Sequence, residues 1–204
     1  QPVVDPMTLH PVNIRRVIWE TDDTFTLLLD LDQINGGYSF KAGQFNMLYA
    51  HGLGEVPISI SADSESGKLI HTTRAVGGVT YGFQHLKPGD VIGVRGPFGS
   101  VWPVDQKEKK DLLIIAGGMG LAPLRPVIYF ALNHRDRFDR VHLVYGARTP
   151  LDIIYKAELE YLDENRDIQV SITVDKATGH WNGNIGVVTQ VLPQLAFDQN
   201  NCVA

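Results

Sequence analysis

The chain of 204 residues has one cysteine, Cys202, so no internal disulfide can form, which fits a reducing cytosol. It also lacks any long run of like charge. Eighteen Lys and Arg stand against 23 Asp and Glu, a net charge of −5, and no basic footprint for a nucleic-acid backbone results. Nucleic acid is therefore not an expected partner. The longest apolar stretches, Leu112 to Ala116 and Val127 to Leu132, fall far short of the roughly 20 residues of a bilayer span, and no transmembrane segment is expected. Gln1 opens the chain without a charged or apolar leader, so no signal peptide is expected. His10, His51, His71, His85, His134, His142 and His180 show no H-E-x-x-H spacing, and G-x-S-x-G is absent. No metal ligand and no Ser/His/Asp triad is assigned, and the histidines are expected mostly on surfaces and loops.

What remains is ordinary globular composition, with 44% hydrophobic and 20% charged residues, enough for one large domain or two small ones. In the first hundred residues, short runs rich in Val, Ile, Leu, Thr and aromatics predict strands: Arg15 to Glu20, Thr24 to Leu31, Gln44 to Ala50, Pro57 to Ala62, Leu69 to Val76 and Val91 to Arg95. Turn chemistry such as Lys87-Pro88-Gly89-Asp90 separates them, and only Tyr81 to Leu86 reads as a short helix. This pattern predicts an antiparallel β-barrel or sandwich.

The polar stretch Asp105 to Asp111 ends that pattern, placing a boundary between a domain of residues 1–105 and one of residues 106–204. Beyond it strands alternate with helices: strand Leu112 to Ala116, helix Leu124 to Asn133, strand Val141 to Tyr145, helix Ile153 to Glu164, strand Ile168 to Val174. Leu124, Val127, Ile128 and Ala131 form a helical stripe, and the alternation predicts a Rossmann-like parallel sheet. Val187 to Leu192 reads as another helix, and Asn201 to Ala204 as the start of a strand in which the sequence stops. Lys156, Glu158, Glu160, Asp163 and Glu164 read as the solvated face of a helix, whereas Trp102, Trp181, Tyr155 and Cys202 read as packing residues.

Ala116-Gly117-Gly118-Met119-Gly120-Leu121-Ala122-Pro123 lies between an apolar strand and a helix. Its glycines permit tight turning and let a phosphate approach backbone N–H groups at the positive end of the helix, although the third glycine of G-x-G-x-x-G is missing. Gly77-Gly78-Val79-Thr80 is a second candidate anion cradle. Ser59, in an apolar strand, must bond either backbone or a ligand. Two cradles, one per domain, suggest two phosphate-bearing ligands meeting at a domain cleft.

Five ordered motifs carry a resemblance that covers nearly the whole chain. They are Lys41-Ala42-Gly43-Gln44-Phe45, Pro57-Ile58-Ser59, Gly77-Gly78-Val79-Thr80, Gly96-Pro97-Phe98-Gly99 and Gly117-Gly118-Met119-Gly120-Leu121-Ala122-Pro123. In this order they resemble the ferredoxin–NADP reductase superfamily. Within it the chain looks most like the electron-transfer subunits of dihydroorotate dehydrogenase, those of anaerobic sulfite reductase and the gamma (diaphorase) subunit of cytosolic nickel–iron hydrogenases. Glu55 to Ser61 and Tyr145 to Pro150 lean toward the last two.

The resemblance implies a flavin-binding Greek-key barrel followed by a Rossmann-like NAD(P)-binding domain whose C-terminus is incomplete. It places Pro57, Ile58 and Ser59 along the flavin ring, with Ser59 as the catalytic partner of the N5 atom that accepts hydride. Thr72, Thr73 and Arg74 would contact the ring edge, ribityl chain or diphosphate, and Gly78, Val79 and Thr80 would hold the diphosphate. Gly117, Gly118, Met119 and Gly120 would form the nicotinamide-dinucleotide loop, with Gly146, Ala147 and Arg148 near its ribose and phosphates and Asp175 facing the cleft. FAD is preferred over FMN on resemblance alone, and NADH and NADPH both remain open.

Many members carry Arg-x-Tyr-Ser where this chain has Val56-Pro57-Ile58-Ser59, so Arg74 is the candidate to replace the missing diphosphate charge. Such proteins also carry a Cys-Gly-Pro segment, which would begin just past Ala204, and the three subunit types a cysteine-rich tail holding a 2Fe-2S cluster. With Cys202 alone, the cluster is expected on a missing C-terminal segment or on a partner chain. The expected activity is that of a cytoplasmic NAD(P)H-dependent diaphorase, which feeds an iron–sulfur electron-transfer subunit and a catalytic redox subunit. A flavin can both accept hydride and pass on single electrons. The alternatives are a free-standing flavin reductase and a non-catalytic flavin- or nucleotide-binding scaffold.

Overall fold

The structure, a computed structural model, describes residues 5–34, 37–105, 108–165 and 168–204. The chain divides into two compact units, Gln1–Trp102 and Pro103–Ala204.

The first unit is built on six antiparallel strands: β1 (His10–Trp19), β2 (Thr24–Leu29), β3 (Phe45–Ala50), β4 (Gly54–Ser59), β5 (Leu69–Arg74) and β6 (Val91–Phe98), in the order β4-β3-β6-β1-β2-β5. The two end strands meet through a single bridge, Ile60↔His71, and the Ser61 N–H donates to the Ile70 carbonyl at 2.9 Å, so the sheet curls into the expected barrel. Period-2 alternation sends Val12, Ile14, Phe25, Leu27, Leu48, Leu69 and Val94 into one core. β1 begins five residues earlier than expected because it serves two neighbours, pairing β6 through His10–Asn13 and β2 from Ile14 onward, with an irregularity between Ile14 and Arg16.

A short helix, α1 (Gly78–Gln84), packs on β3 and β4 and buries Phe83. Gly43, at φ +104°, runs close to the Trp102 N–H, and a Cβ would sit 2.8 Å from that nitrogen. The glycine of the Lys41 to Phe45 motif therefore serves this close approach.

The second unit is a parallel sheet of β7 (Lys110–Gly117), β8 (Phe138–Ala147), β9 (Gln169–Val174), β10 (Asn184–Ile185) and β11 (Cys202–Val203), in the order β10-β9-β8-β7-β11. Helices α2 (Leu121–Asn133) and α3 (Lys156–Asn165) complete the strand–helix alternation. The stripe on α2 buries Leu121, Ala122, Val127, Ile128 and Ala131. Asp111, buried on β7, accepts the N–H groups of Arg140 (3.0 Å) and Asp198 (2.7 Å) and so ties the segment before β11 to the sheet.

Several expectations are corrected. Residues 187–192 form no α-helix; two 3-10 turns, Val188–Gln190 and Leu192–Gln194, take their place, with Pro193 opening the second and Val191 buried against Leu113 and Val144. Helix α3 starts at Lys156 rather than Ile153, because Pro150–Asp152 forms a 3-10 turn, Ile153 and Ile154 run buried, and Tyr155 takes φ 55°. His71 and His142 lie in strands at 0% and 1% exposure, not on the surface. Trp102 is 41% exposed rather than packed inside. Among the described residues no helix is long and apolar enough to cross a membrane, and no cluster of His, Cys, Asp or Glu could hold a metal ion.

Candidate functional site

In the barrel unit the candidate residues gather where β4 and β5 approach one another. Val56 and Ile58 pack on the barrel core, so alternation turns Pro57 and Ser59 to the outer face of β4, opposite Met47 and Phe45 of β3. Ile58, expected along the flavin ring with its two neighbours, is thus a core residue by its side chain. Among the described residues none bonds the Ser59 hydroxyl. The same outer face carries aromatic and charged groups: Phe45 and Phe98 lie 5.8 Å apart between ring centroids, and Arg95 stands over Phe98 and pairs with Glu55.

On β5, Thr72 and Thr73 take opposite faces. The Thr72 hydroxyl bonds those of Thr26 (2.8 Å) and Ser61 (3.2 Å), a hydroxyl ladder. Thr73 is 2% exposed and its Oγ1 has no partner. Thr73 pairs with the core residue Phe25 and lies on the same side of β5 as Leu69 and His71, so its hydroxyl faces the barrel interior and not the outer face that carries Ser59, a correction to its expected place at the flavin. Arg74 donates from Nε to Asp23 Oδ2 at 2.7 Å, half-exposed on both sides. Partial burial would raise the Asp23 carboxyl, but hydrogen bonds from Arg74, Thr24 and Thr21 together hold it below the usual carboxylate range. The guanidinium expected to meet a diphosphate is thus already ion-paired, with its remaining nitrogens free to turn outward.

The loop into α1 is held by Thr80, whose hydroxyl accepts the N–H groups of Val76 and Gly77 and donates to the Gly77 carbonyl, each at 3.0 Å. Thr80 therefore shapes the loop, while Gly77 and Gly78 are exposed and a Cβ on either would meet open space. Val79 lies against Gly54 at the start of β4.

In the second unit, Gly117 to Gly120 link β7 to α2, with Gly118 at φ 50°. A Cβ on Gly117, Gly118 or Gly120 would meet nothing within 4 Å, and Met119 is half-buried. The loop leads into a 13-residue helix, whose first N–H groups have no intrahelical acceptor. Gly146 differs, since a Cβ there would stand 2.6 Å from Val188 Cγ1; its glycine is explained by packing. Ala147 is buried, and its carbonyl accepts the Asp175 N–H at 3.0 Å, which fixes Asp175, exposed, beside the end of β8. Arg148 is mostly exposed and donates to Asp152 at 2.8 Å.

Two groupings escaped the sequence reading. In the barrel interior, Tyr38, Asn46 and His71 form a hydrogen-bonded chain that ends on the Ser59 carbonyl. Burial drives the His71 ring down to about 4, against the opposite pull of the Ser59 and Ile58 carbonyls, so it is neutral near pH 7. A histidine alternating with Leu69 and Thr73 was the available signal. In the second unit, Arg125 on α2 makes a bidentate pair with Glu158 on α3 and stacks 4.4 Å over the Tyr155 ring. Glu158 is accordingly not part of a solvated face.

Comparison with known proteins bears on the family and the fold. A family model described as "Oxidoreductase NAD-binding domain" matches residues 114–203. The sulfhydrogenase 1 subunit gamma of Pyrococcus furiosus is 36% identical over 97% of this chain and 69% of its own length. A probable dihydroorotate dehydrogenase B (NAD(+)) electron transfer subunit of Methanocella arvoryzae is 38% identical over 92% of this chain and 65% of its own. The sulfhydrogenase 2 subunit gamma of P. furiosus is matched over 48% of its length, so the chain spans about half to two thirds of these relatives. Among solved structures, a ferredoxin NADP+ reductase from Neisseria gonorrhoeae with bound FAD and NADP superposes with a TM-score of 0.80 at 21% identity, covering 95% of this chain and 82% of that one. The chain belongs to the ferredoxin–NADP reductase superfamily of flavoprotein oxidoreductases.

Proposed function

We propose that the chain binds FAD on the β4–β5 side of the barrel and NAD(P)H at the glycine loop before α2, and moves electrons from the nicotinamide to a one-electron acceptor. The observation that carries the reading is Ser59, whose hydroxyl stands on the outer face of an edge strand with no partner among the described residues. The open space over Gly77 and Gly78 fits the same group. A bound flavin supplies the exchange between hydride and single electrons. Ser59 would offer its hydroxyl to N5, Pro57 would lie along the ring, and Thr72 and Arg74, on the outer face of β5, would meet the ring edge, ribityl chain and diphosphate. Gly78 and Val79 would present backbone N–H groups to the diphosphate, on a loop held by Thr80. Gly117, Gly118, Met119 and Gly120 would receive the dinucleotide, with Ala147, Arg148 and Asp175 near its ribose and phosphates and Gly146 supplying backbone alone.

The relatives named as subunits of sulfhydrogenase and of dihydroorotate dehydrogenase support a place in a larger redox complex. The chain would act there as the diaphorase part, passing electrons to a 2Fe-2S centre held outside these residues and on to a catalytic redox subunit. A cytoplasmic setting belongs to the same reading, in keeping with the free thiol of Cys202.

The full chain mixed with FAD should turn yellow and bleach anaerobically on addition of NADH or NADPH. Ser59→Ala should slow that reduction by roughly tenfold or more while changing FAD affinity less than about threefold, as expected for loss of one aligned donor. A chain that takes up no FAD contradicts the reading, and a Ser59→Ala variant that loses FAD but reduces normally when loaded makes Ser59 structural.

A further inference from the structure

Past Ser59 the chain is tied to β5 by the Ile60↔His71 bridge and by the Ser61 N–H on the Ile70 carbonyl, while among the described residues no ladder pair joins Ser59 itself to β5. A second kind of tie is present. Tyr38 donates its hydroxyl proton to Asn46 Oδ1, Asn46 Nδ2 donates to His71 Nε2 at 3.1 Å, and His71 Nδ1 donates to the Ser59 carbonyl at 3.0 Å. One tautomer satisfies the whole chain: the Asn46 amide, with its oxygen engaged by Tyr38, can offer only N–H to the ring, which leaves the ring proton on Nδ1. Asn46 and His71 are each 0% exposed. Room for the amide is kept by Gly96, at φ +140°, where a Cβ would run into Asn46 Oδ1. Gly96 of the Gly96-Pro97-Phe98-Gly99 motif is thereby accounted for.

His71 faces Leu27 across the β2–β5 pair, and an apolar side chain would fill that core position with no polar atoms to satisfy. What the imidazole adds is a directional bond to the residue that bears the Ser59 hydroxyl. We propose that His71 is a positioning residue for hydride transfer, its bond to the Ser59 carbonyl fixing the end of β4 so that the Ser59 hydroxyl stays aimed at the flavin. The inference rests on the proposed role of Ser59.

The test is a double-mutant cycle on the full chain loaded with FAD, reading the anaerobic rate of flavin reduction at saturating NADH or NADPH, the KM for the nucleotide, FAD affinity and thermal unfolding. His71→Phe keeps an aromatic ring, somewhat larger, and removes both nitrogens. It should melt cooperatively, bind FAD within about threefold of wild type and keep the nucleotide KM, yet reduce its flavin about tenfold more slowly, a misalignment effect. In the Ser59→Ala background the same change should slow reduction by less than about twofold, because the aimed hydroxyl is gone. Tyr38→Phe, which removes one hydroxyl at the far end and leaves the His71 bond, should slow reduction about threefold and likewise lose its effect beside Ser59→Ala; it decides the matter if His71→Phe does not fold. Wild-type rates in a folded variant, or equal factors in both backgrounds, overturn the inference and leave the flavin reading standing. Failure of the wild-type chain to take up FAD or to be reduced overturns both.

Discussion

Thr73 is buried at 2% exposure with an unpartnered hydroxyl, an arrangement that costs stability unless something else meets the group. Thr73→Val, which keeps the β-branched shape, should therefore leave the chain as stable or more stable by up to about 1 kcal/mol, with FAD affinity within about threefold of wild type because the hydroxyl faces the barrel interior. Melting temperature and FAD titration read the two effects separately, and a clear loss of stability would show the hydroxyl to be bonded. His71 makes a pH prediction. Its folded value of about 4 lies below the ordinary 6.5, so between these values the unfolded chain binds more protons and stability falls as pH drops. The loss should begin near pH 6.5, reach about 3 kcal/mol near pH 4 and flatten below, as the shift converts at 1.36 kcal/mol per unit. Urea titrations of wild type and His71→Phe across this range should diverge accordingly; parallel curves would contradict the neutral buried ring. Ser59 stood out in sequence because a polar side chain in an apolar strand calls for a partner, whereas Thr73 was reached only through the family resemblance. The His71 chain did not stand out, because its link to Asn46 joins residues 25 apart that only the closure of β5 toward β3 brings together.

Among elements, α2 and α3 are held by one buried ion pair. Arg125 and Glu158 are only 13% and 22% exposed at the side chain, and the guanidinium also faces Tyr129 and Tyr155. Burial disfavours the charged guanidinium, but the Glu158 hydrogen bonds and charge outweigh it and hold Arg125 above its ordinary value. Glu158→Ala should cost about 2 to 3 kcal/mol, since it strands a desolvated cation, and Glu158→Gln should cost less. An unchanged urea midpoint for Glu158→Ala would show the pair to be superficial. The charge pattern of α3 read as solvated because the partner lies 33 residues earlier, outside any helical spacing. The missed start of α3 has a similar cause: Ile153 and Ile154 continue an apolar pattern, and only the Thr149 and Asp152 exchange of hydrogen bonds fixes the preceding turn. Residues 187–192 misled for the opposite reason, as apolar spacing over six residues suits a helix and two successive 3-10 turns equally.

At the scale of the molecule the architecture was readable from two periodicities. Strands separated by Gly, Pro, Asn and Asp turns yielded the antiparallel barrel, and strand–helix alternation yielded the parallel sheet. Membership of the ferredoxin–NADP reductase superfamily then depended on the order of motifs rather than on any one of them, and several motif glycines have local reasons of their own: Gly43 against Trp102, Gly96 against Asn46, Gly99 against Phe45. Gly118 is explained by its φ of 50°, whereas Gly117 and Gly120 have open space and no such requirement, which is what a loop kept open for a ligand should show. The account as a whole comes down to a flavin ring on the outer face of β4. An experimental structure of the FAD-loaded chain measures this directly. We expect the flavin N5 within about 3.2 Å of Ser59 Oγ, hydrogen-bond distance, with Pro57 along the ring. A ring bound elsewhere, or a Ser59 hydroxyl turned onto protein with the face beside it closed, would contradict it.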